Sequence, residues 1–325
     1  MNSRVAIVGA GIAGLACADR LRDSGIATVL FDKARGPGGR MSTRRVETAA
    51  GTAHIDHGAQ FFTVRNPAFR AQVSSWEALG LVARWSEAAP DAWIGTPTMN
   101  APVRHMTAHH DVRFGHHVHG IVKEPGGWRV RFDDRLEGPF GAVVIALPAE
   151  QAAAILGLHD FSMASDALSA RSQPCWTAMV VLGGRLDIPV SHFSDSGIIA
   201  WAARNSAKPG RNEPEAWVVQ GSGTWSAAHA EQDAAEVART LFEALGEHCS
   251  GGALPPVLSL TAHFWRFAMA QGIGRGALWN DLIGLGACGD WLLGPRVELA
   301  WLSGLDLGNR MISRPGAIGT LIPAA

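Results

Sequence analysis

Tyrosine is missing from the 325-residue chain, so any aromatic wall must be built from its 12 phenylalanines and 12 tryptophans. Lysine is nearly missing too. Lys33, Lys123 and Lys208 stand in a basic complement that is otherwise arginine, which reads as compositional drift. The four cysteines, Cys17, Cys175, Cys249 and Cys288, form no C-x-x-C pair. That argues against a redox dithiol or a zinc cluster and fits structural thiols in a reducing compartment. No run of about 18 uncharged apolar residues occurs, so no membrane span is expected. The first apolar run, Val5 to Val8, is interrupted by glycines and does not read as a signal peptide. A formal net charge of −1 offers no general attraction to nucleic acid or to an anionic membrane. The expectation is a cytoplasmic protein acting on a small molecule.

What is present is globular, 47% hydrophobic and 18% charged, with length for about two domains. Val5 to Val8 reads as a buried strand, Ile12 to Ser24 as a helix and Thr28 to Asp32 as a second strand, the opening of a parallel α/β sheet. Val112 to Phe132 alternates about a Gly126-Gly127 hairpin signal and leads to a buried strand at Ala142 to Ala146. The middle is Trp-rich and strand-like, with a helix over Glu231 to Leu245 and an extended stretch over Val257 to Trp265. Leu282 to Cys288 reads as a last buried strand and Val297 to Arg310 as a last helix. The expected fold is α/β: a discontinuous Rossmann-type cofactor-binding domain (1–72, 108–150, 280–325) with an inserted α+β substrate domain (73–107, 151–279).

Gly9-Ala10-Gly11-Ile12-Ala13-Gly14 stands between the first strand and the first helix. Gly9 permits the tight turn, Gly11 lets the backbone approach a pyrophosphate, and Gly14 lets the helix pack on the sheet. Asp32 ends the second strand, where an acid accepts from ribose hydroxyls. Three features favour FAD over NAD. The motif lies close to the start of the sequence. A second glycine-rich loop, Arg35-Gly36-Pro37-Gly38-Gly39-Arg40-Met41, follows Asp32 with arginines for phosphates or the flavin ring. Near the other end, Cys288-Gly289-Asp290 offers an acid to ribityl hydroxyls, and the helix from Val297 aims its positive end at the flavin N1/C2 carbonyl side.

The blocks DKARGPGGRMSTRR, DHGAQFFTVRNPAF, WAARNSAKPGR and CGDWLLGPRVELAWLSG resemble the renalase family, especially its bacterial members, over nearly the full length. The resemblance implies a p-hydroxybenzoate-hydroxylase-type fold within the flavin amine-oxidase-like group and non-covalent FAD. It implies oxidation of 2- and 6-dihydro-NAD(P) by hydride transfer to flavin N5, with O2 as acceptor and H2O2 as product. Carried onto this sequence, it assigns FAD contacts to Gly9, Gly11, Ile12, Ala13, Gly14, Asp32, Lys33, Arg35, Gly39, Arg40, His57, Gly58, Ala59, Gln60, Val118, Gly289, Asp290 and Val297. The chain departs from the family at Gln220, where a His is common, at Met269 in the block from His263, and at Leu299, where a Gly is usual.

For the substrate pocket the candidates are Gln60, Phe62, Trp176, Trp201, His263 and Trp301, with Arg204-Asn205 able to meet polar groups. No catalytic acid or base is singled out, because such a donor needs little beyond stacking and orientation. His105, His109, His110, His116, His117 and His119 invite a metal reading, but no carboxylate or Cys pattern completes a site, and none is expected. An aromatic hydroxylase would carry an Asp-Gly near residue 150, where this chain reads Val144-Ile145-Ala146-Leu147-Pro148-Ala149-Glu150. An amine oxidase or related oxidoreductase with a different small-molecule donor would fit the same cofactor motifs, as would a flavoprotein without catalysis.

Overall fold

Four apolar strands, Val5–Val8, Thr28–Asp32, Ala142–Ile145 and Leu285–Ala287, lie side by side and parallel at the heart of a six-stranded sheet. The computed structural model describes residues 4–211, 214–251 and 254–314. In that sheet the order runs 278–280, 285–287, 142–145, 5–8, 28–32, 111–114, and the 278–280 edge alone is antiparallel. Val5 to Val8 is buried on both faces, which is why it reads as an unbroken apolar run. Ala6, Val8, Val29, Phe31, Val143 and Ile145 pack against Trp128, Val130 and Phe140 of a three-stranded meander, 120–124, 127–131 and 136–140.

The chain leaves Val5–Val8 first toward 28–32 and later returns on its other side at 142–145. That reversal creates the crevice at which open α/β sheets bind ligands. On the opposite face from the meander lies the first helix, Ile12–Arg22, and beside it the last, Val297–Ser313. A Cβ at Gly304 would collide with the Ala13 carbonyl, and one at Gly308 would lie 2.8 Å from Arg20 Cβ. Residue 13 therefore meets 304 and the 17–20 turn meets 308, so the two helices run parallel at backbone contact.

Contacts group the described residues into two units, one within Met1–Gly39, Val103–Ser172 and Ala270–Ala325, the other within Arg40–Pro102 and Gln173–Met269. Residues 40–72, 103–107, 151–172 and 270–279 thus fall on the other side of the expected boundaries. The causes are local. The helices Ala149–Leu156 and Phe161–Ser169 continue the core of the first unit, and 278–280 pairs with 285–287. The hairpin 43–48/51–56 instead lays Ala53 and Ile55 on Met179, Val181, Ala216 and Val218. Val112 to Phe132 also divides: 111–114 joins the parallel sheet, and the hairpin proper is 120–124/127–131.

The second unit is built on a five-stranded sheet ordered 192–196, 199–204, 215–221, 172–182, 257–270. One face packs on the helix Ala234–Gly246 through Trp176, Val180, Trp217, Val219, Val237 and Leu241. A smaller sheet, 62–63, 92–95 and 82–84, accompanies the helix Pro67–Ala78. Among the described residues no helix is long and apolar enough to cross a membrane.

Because the parallel helices leave no room at Gly304, Gly304→Ala should lower unfolding stability by about 1–3 kcal/mol. Gly126→Ala, with nothing within 4 Å, should leave it unchanged. Urea denaturation of the two variants checks this, and equal midpoints would refute the close packing.

Candidate active site

In the first unit the strand ends at Val8, and Gly9 turns with φ +106°. A Cβ there would strike the Ala146 carbonyl, and one at Gly14 would strike the Gly9 carbonyl. Gly11 differs: nothing lies within 4 Å of where its Cβ would be, so its open side faces space a ligand can fill. Gly39, at φ +54°, brings the second glycine-rich loop to within 3.7 Å of the Gly11 Cα, measured from its own virtual Cβ. Two turns without side chains therefore stand together. The N-cap of the first helix, Gly11, supplies no side chain, which leaves the N–H groups of Ile12, Ala13 and Gly14 directed outward.

Asp32 serves these loops structurally. Its Oδ2 accepts from Ala10 N and its Oδ1 from Ala34 N, both at 2.8 Å, so it clasps the start of each loop. Each oxygen keeps a further lone pair for a ribose hydroxyl. Lys33 and Arg35 are exposed beside it, and Val118 is buried in the core between 111–114 and 120–124.

The parallel pairing of the helices carries a second consequence. Val297 precedes Gly304 by seven residues, roughly 10 Å of helix, so the last helix extends past the first in the direction of both N-termini. Its N-cap, Arg296, accepts no backbone N–H with its side chain either. Two positive helix ends thus point the same way, staggered along one line, as a long dinucleotide requires. Gly289 N donates to Ser303 Oγ at 3.0 Å, and Asp290 follows it, buried. Leu299 lies over Gly294, whose virtual Cβ is 3.1 Å from its Cδ1. Trp301, expected as a pocket residue, is 7% exposed. The open Gly11 side, the paired glycine turns and the two uncapped helix ends fit FAD. Gly11, Ile12, Ala13, Asp32, Arg35 and Asp290 are the groups that would hold it.

In the second unit, the residues assigned to substrate or flavin divide between the two faces of the five-stranded sheet. Trp176 is a core residue on the helix side, its Nε1 bonded to His229 O, and not a pocket wall. Strand parity places it opposite Trp201, Gln220, His263 and Trp265. Phe62 is likewise core, packed on Phe69, and it is the neighbouring Phe61 that meets Trp201 at 5.4 Å. Trp201 also stacks on His192 at 5.0 Å, with Trp85 edge-on at 6.5 Å. Arg204 is buried with Glu215 and is not a surface loop residue.

Below this face the turn His57-Gly58-Ala59-Gln60 is pinned from all sides. Gln60 Nε2 donates to Asp56 O at 2.6 Å, Gln220 Nε2 donates to Gly58 O at 2.9 Å, and Trp265 Nε1 donates to His57 O at 2.8 Å. A Cβ at Gly58 would strike the Arg40 carbonyl, which accepts from Ala59 N. Arg40 Nη1 reaches the carbonyls of Phe267 and Ala268 at 3.4 and 3.3 Å.

The anchor is Asp56, fully buried. It accepts from Thr43 Oγ1 (2.7 Å), Met99 N (3.1 Å), Arg211 Nη2 (2.6 Å) and Lys208 Nζ (3.3 Å). Burial alone would raise its carboxyl, but Lys208 and Arg211 outweigh burial and hold it below the usual carboxylate range. Burial pushes Lys208 down to about 8, opposed by Asp56. Sequence reasoning missed Asp56, Lys208 and Arg211. His57 stacks on Trp265, and burial, His263 and Arg44 push it down to about 4, so the ring is neutral near pH 7.

Two family models match in succession: NAD(P)-binding Rossmann-like domain over residues 7–75 and flavin containing amine oxidoreductase over residues 74–172. Among solved structures the chain is similar to a protein from Exiguobacterium sp. 255-15 described as a protoporphyrinogen oxidase, at 11% identity and TM-score 0.75 over 96% of this chain and 99% of that one. Cyclohexylamine oxidase from Brevibacterium oxydans IH-35A matches at 13% identity and TM-score 0.68 over 96% and 99%. A CLA-producing fatty acid isomerase from P. acnes matches at 12% and 0.66 over 95% and 98%. At these identities the structures establish the fold. The flavin-containing amine oxidoreductase model covers only the stretch 74–172, and the fold is one that amine oxidases share. The chain is an FAD-dependent oxidoreductase.

Gly11→Ala should leave the apoprotein's unfolding midpoint in place while weakening FAD binding about tenfold or more, because the added methyl enters the ligand's space. Gly14→Ala should destabilise the apoprotein itself. Flavin-fluorescence titration beside thermal melts separates the two, and unaltered FAD affinity in Gly11→Ala would count against the assignment.

His57 gives a pH dependence. The unfolded imidazole protonates near 6.5 and the folded one near 4, so across that window the unfolded state binds more protons. Stability therefore falls on acidification from pH 6.5 to 4, by up to about 3 kcal/mol from this group. Melts of His57→Phe should show a shallower acid limb than wild type, and superimposable limbs would contradict a buried neutral ring.

Proposed function

We propose that the chain is a renalase-type oxidase, taking a hydride from 2- or 6-dihydro-NAD(P) and delivering the electrons to O2. The observation that carries this reading is the physical union of two sequence blocks that mark the resemblance. Asp56 and Gln60 come from DHGAQFFTVRNPAF; Asn205, Lys208 and Arg211 come from WAARNSAKPGR. Asn205 accepts from Asp56 N at 3.2 Å and donates to His54 O at 2.7 Å, and Lys208 and Arg211 close on the Asp56 carboxylate. Residues far apart in sequence thereby hold one turn, His57 to Gln60.

FAD, when bound, accepts the hydride and returns two electrons to O2, so that dihydro-NAD(P), O2 and one proton yield NAD(P)⁺ and H2O2. The chain's own residues have positioning work. Trp201, with Phe61 and His192 against it, offers a ring face to a planar donor, and its Nε1 is buried without a partner among the described residues. The neutral His57 and His263 add no charge near pH 7, and burial, then Arg44, lowers His263. Asp56 is already matched by two cations, so it offers no free anion to a protonated amine. That favours a dihydronicotinamide over an amine donor.

Anaerobic mixing of holoenzyme with 6-dihydro-NAD, 2-dihydro-NAD, ordinary NADH and cyclohexylamine tests the reading. The isomeric forms should bleach the flavin rapidly and the other two should not, with H2O2 appearing once air is admitted. Bleaching by the amine alone, or by none of the four, would reject it.

A further inference from the structure

The buried Lys208 is not needed to neutralise Asp56. Arg211 alone makes a one-to-one pair with that carboxylate at 2.6 Å, and its guanidinium is further held by the carbonyls of Gly95 and Pro97. Lys208 adds a second cation to a fully enclosed site, where a charge in excess is destabilising. Its Nζ lies 3.3 Å from the Asp56 carboxylate, 3.1 Å from Gln60 Oε1 and 5.4 Å from the centroid of the Trp85 ring.

We propose that Lys208 is a positioning residue for the turn His57–Gln60, fixing the Gln60 amide in one orientation and through it the Gly58 carbonyl. The inference rests on the reading that this turn serves the reacting partners. An ammonium group has donors and no acceptor, so only the oxygen of Gln60 can face it. The amide nitrogen is then directed at Asp56 O (2.6 Å) and Gly58 O (3.1 Å). Gly58 O accepts from Gln220 as well, which locks that peptide against rotation. A methionine at 208 would leave Gln60 without the charge that sets its sense, while Asp56 and Arg211 stay paired. Deprotonating Lys208 weakens the same preference without mutation, because the neutral amine keeps two N–H donors but gains a lone pair that can also accept from the amide nitrogen. The charged groups facing it are Asp56 from the 51–56 strand and Arg211 from its own segment; Gln60 and Trp85 present neutral surfaces.

The test uses FAD-loaded protein labelled with ¹⁵N-glutamine, with the Gln60 side-chain NH2 pair assigned by its loss in Gln60→Leu. At pH 7 the wild type should give one exchange-protected pair. That protection should fall about tenfold as pH rises through about 8, the region where Lys208 releases its proton. Lys208→Met should show the reduced protection at pH 7 and no alkaline step. With the donor that reduces the flavin, Lys208→Met and Gln60→Leu should each raise its KM about tenfold, with kcat within about twofold, and the double variant should be no worse than either single one. A Gln60 pair that is unchanged in Lys208→Met, or fully additive kinetic effects, would overturn the proposal. The amide measurement needs no substrate, so it stands or falls separately from the identity of the donor.

Discussion

Where the first strand hands the chain to the first helix, backbone touches backbone, and the cofactor side of the protein follows from that contact. Gly9 has no side chain because the Ala146 carbonyl occupies its place, and Gly14 has none because the Gly9 carbonyl does. Ala146 N in turn donates to Val8 O at 2.8 Å, joining the two strands at which the sheet reverses its order. The same close approach recurs at Gly304, which seats the last helix against Ala13 and sets its N-terminus ahead of the first helix. Together these contacts set the two helix ends in a shared direction.

The second unit solves a different problem with charge. A turn of four residues cannot hold itself, and here it is fixed by a carboxylate, two cations and two amides drawn from residues 56 to 220. Losing the carboxylate would strand Lys208 and Arg211 without a counter-charge, a change that in buried pairs costs about 3–5 kcal/mol. A group with so large a desolvation penalty, in a domain of marginal stability, is retained for position. The fold itself does not choose the reaction, since both amine oxidases and a fatty acid isomerase share it.

The cofactor unit was legible in sequence because each of its requirements leaves a residue type behind: glycine at a close approach, an apolar run in a doubly covered strand, an acid at a strand end. The helix from Val297 was readable for the same reason. The substrate side was less so. Trp176 and Trp201 look alike in sequence, and only strand parity and the bulge between Ile199 and Trp201 put them on opposite faces. Phe61 and Phe62 differ by one residue and therefore by a face. The Asp56 network joins positions about 150 residues apart, which no local pattern reveals. One signal was available: in a chain that uses arginine almost throughout, Lys208 is one of three lysines, and the structure buries it.

We propose that the Gly9–Gly14 turn and its neighbours bind the ADP portion of FAD, with the staggered second helix end serving the flavin. Titration of apoprotein with FAD, FMN and NAD⁺, followed by tryptophan and flavin fluorescence, tests it most directly. FAD should bind one per chain, with FMN and NAD⁺ at least about a hundredfold weaker, each lacking one half of the interaction. FMN binding as tightly as FAD would mean that the glycine turn holds nothing, and the account of the cofactor unit would fail.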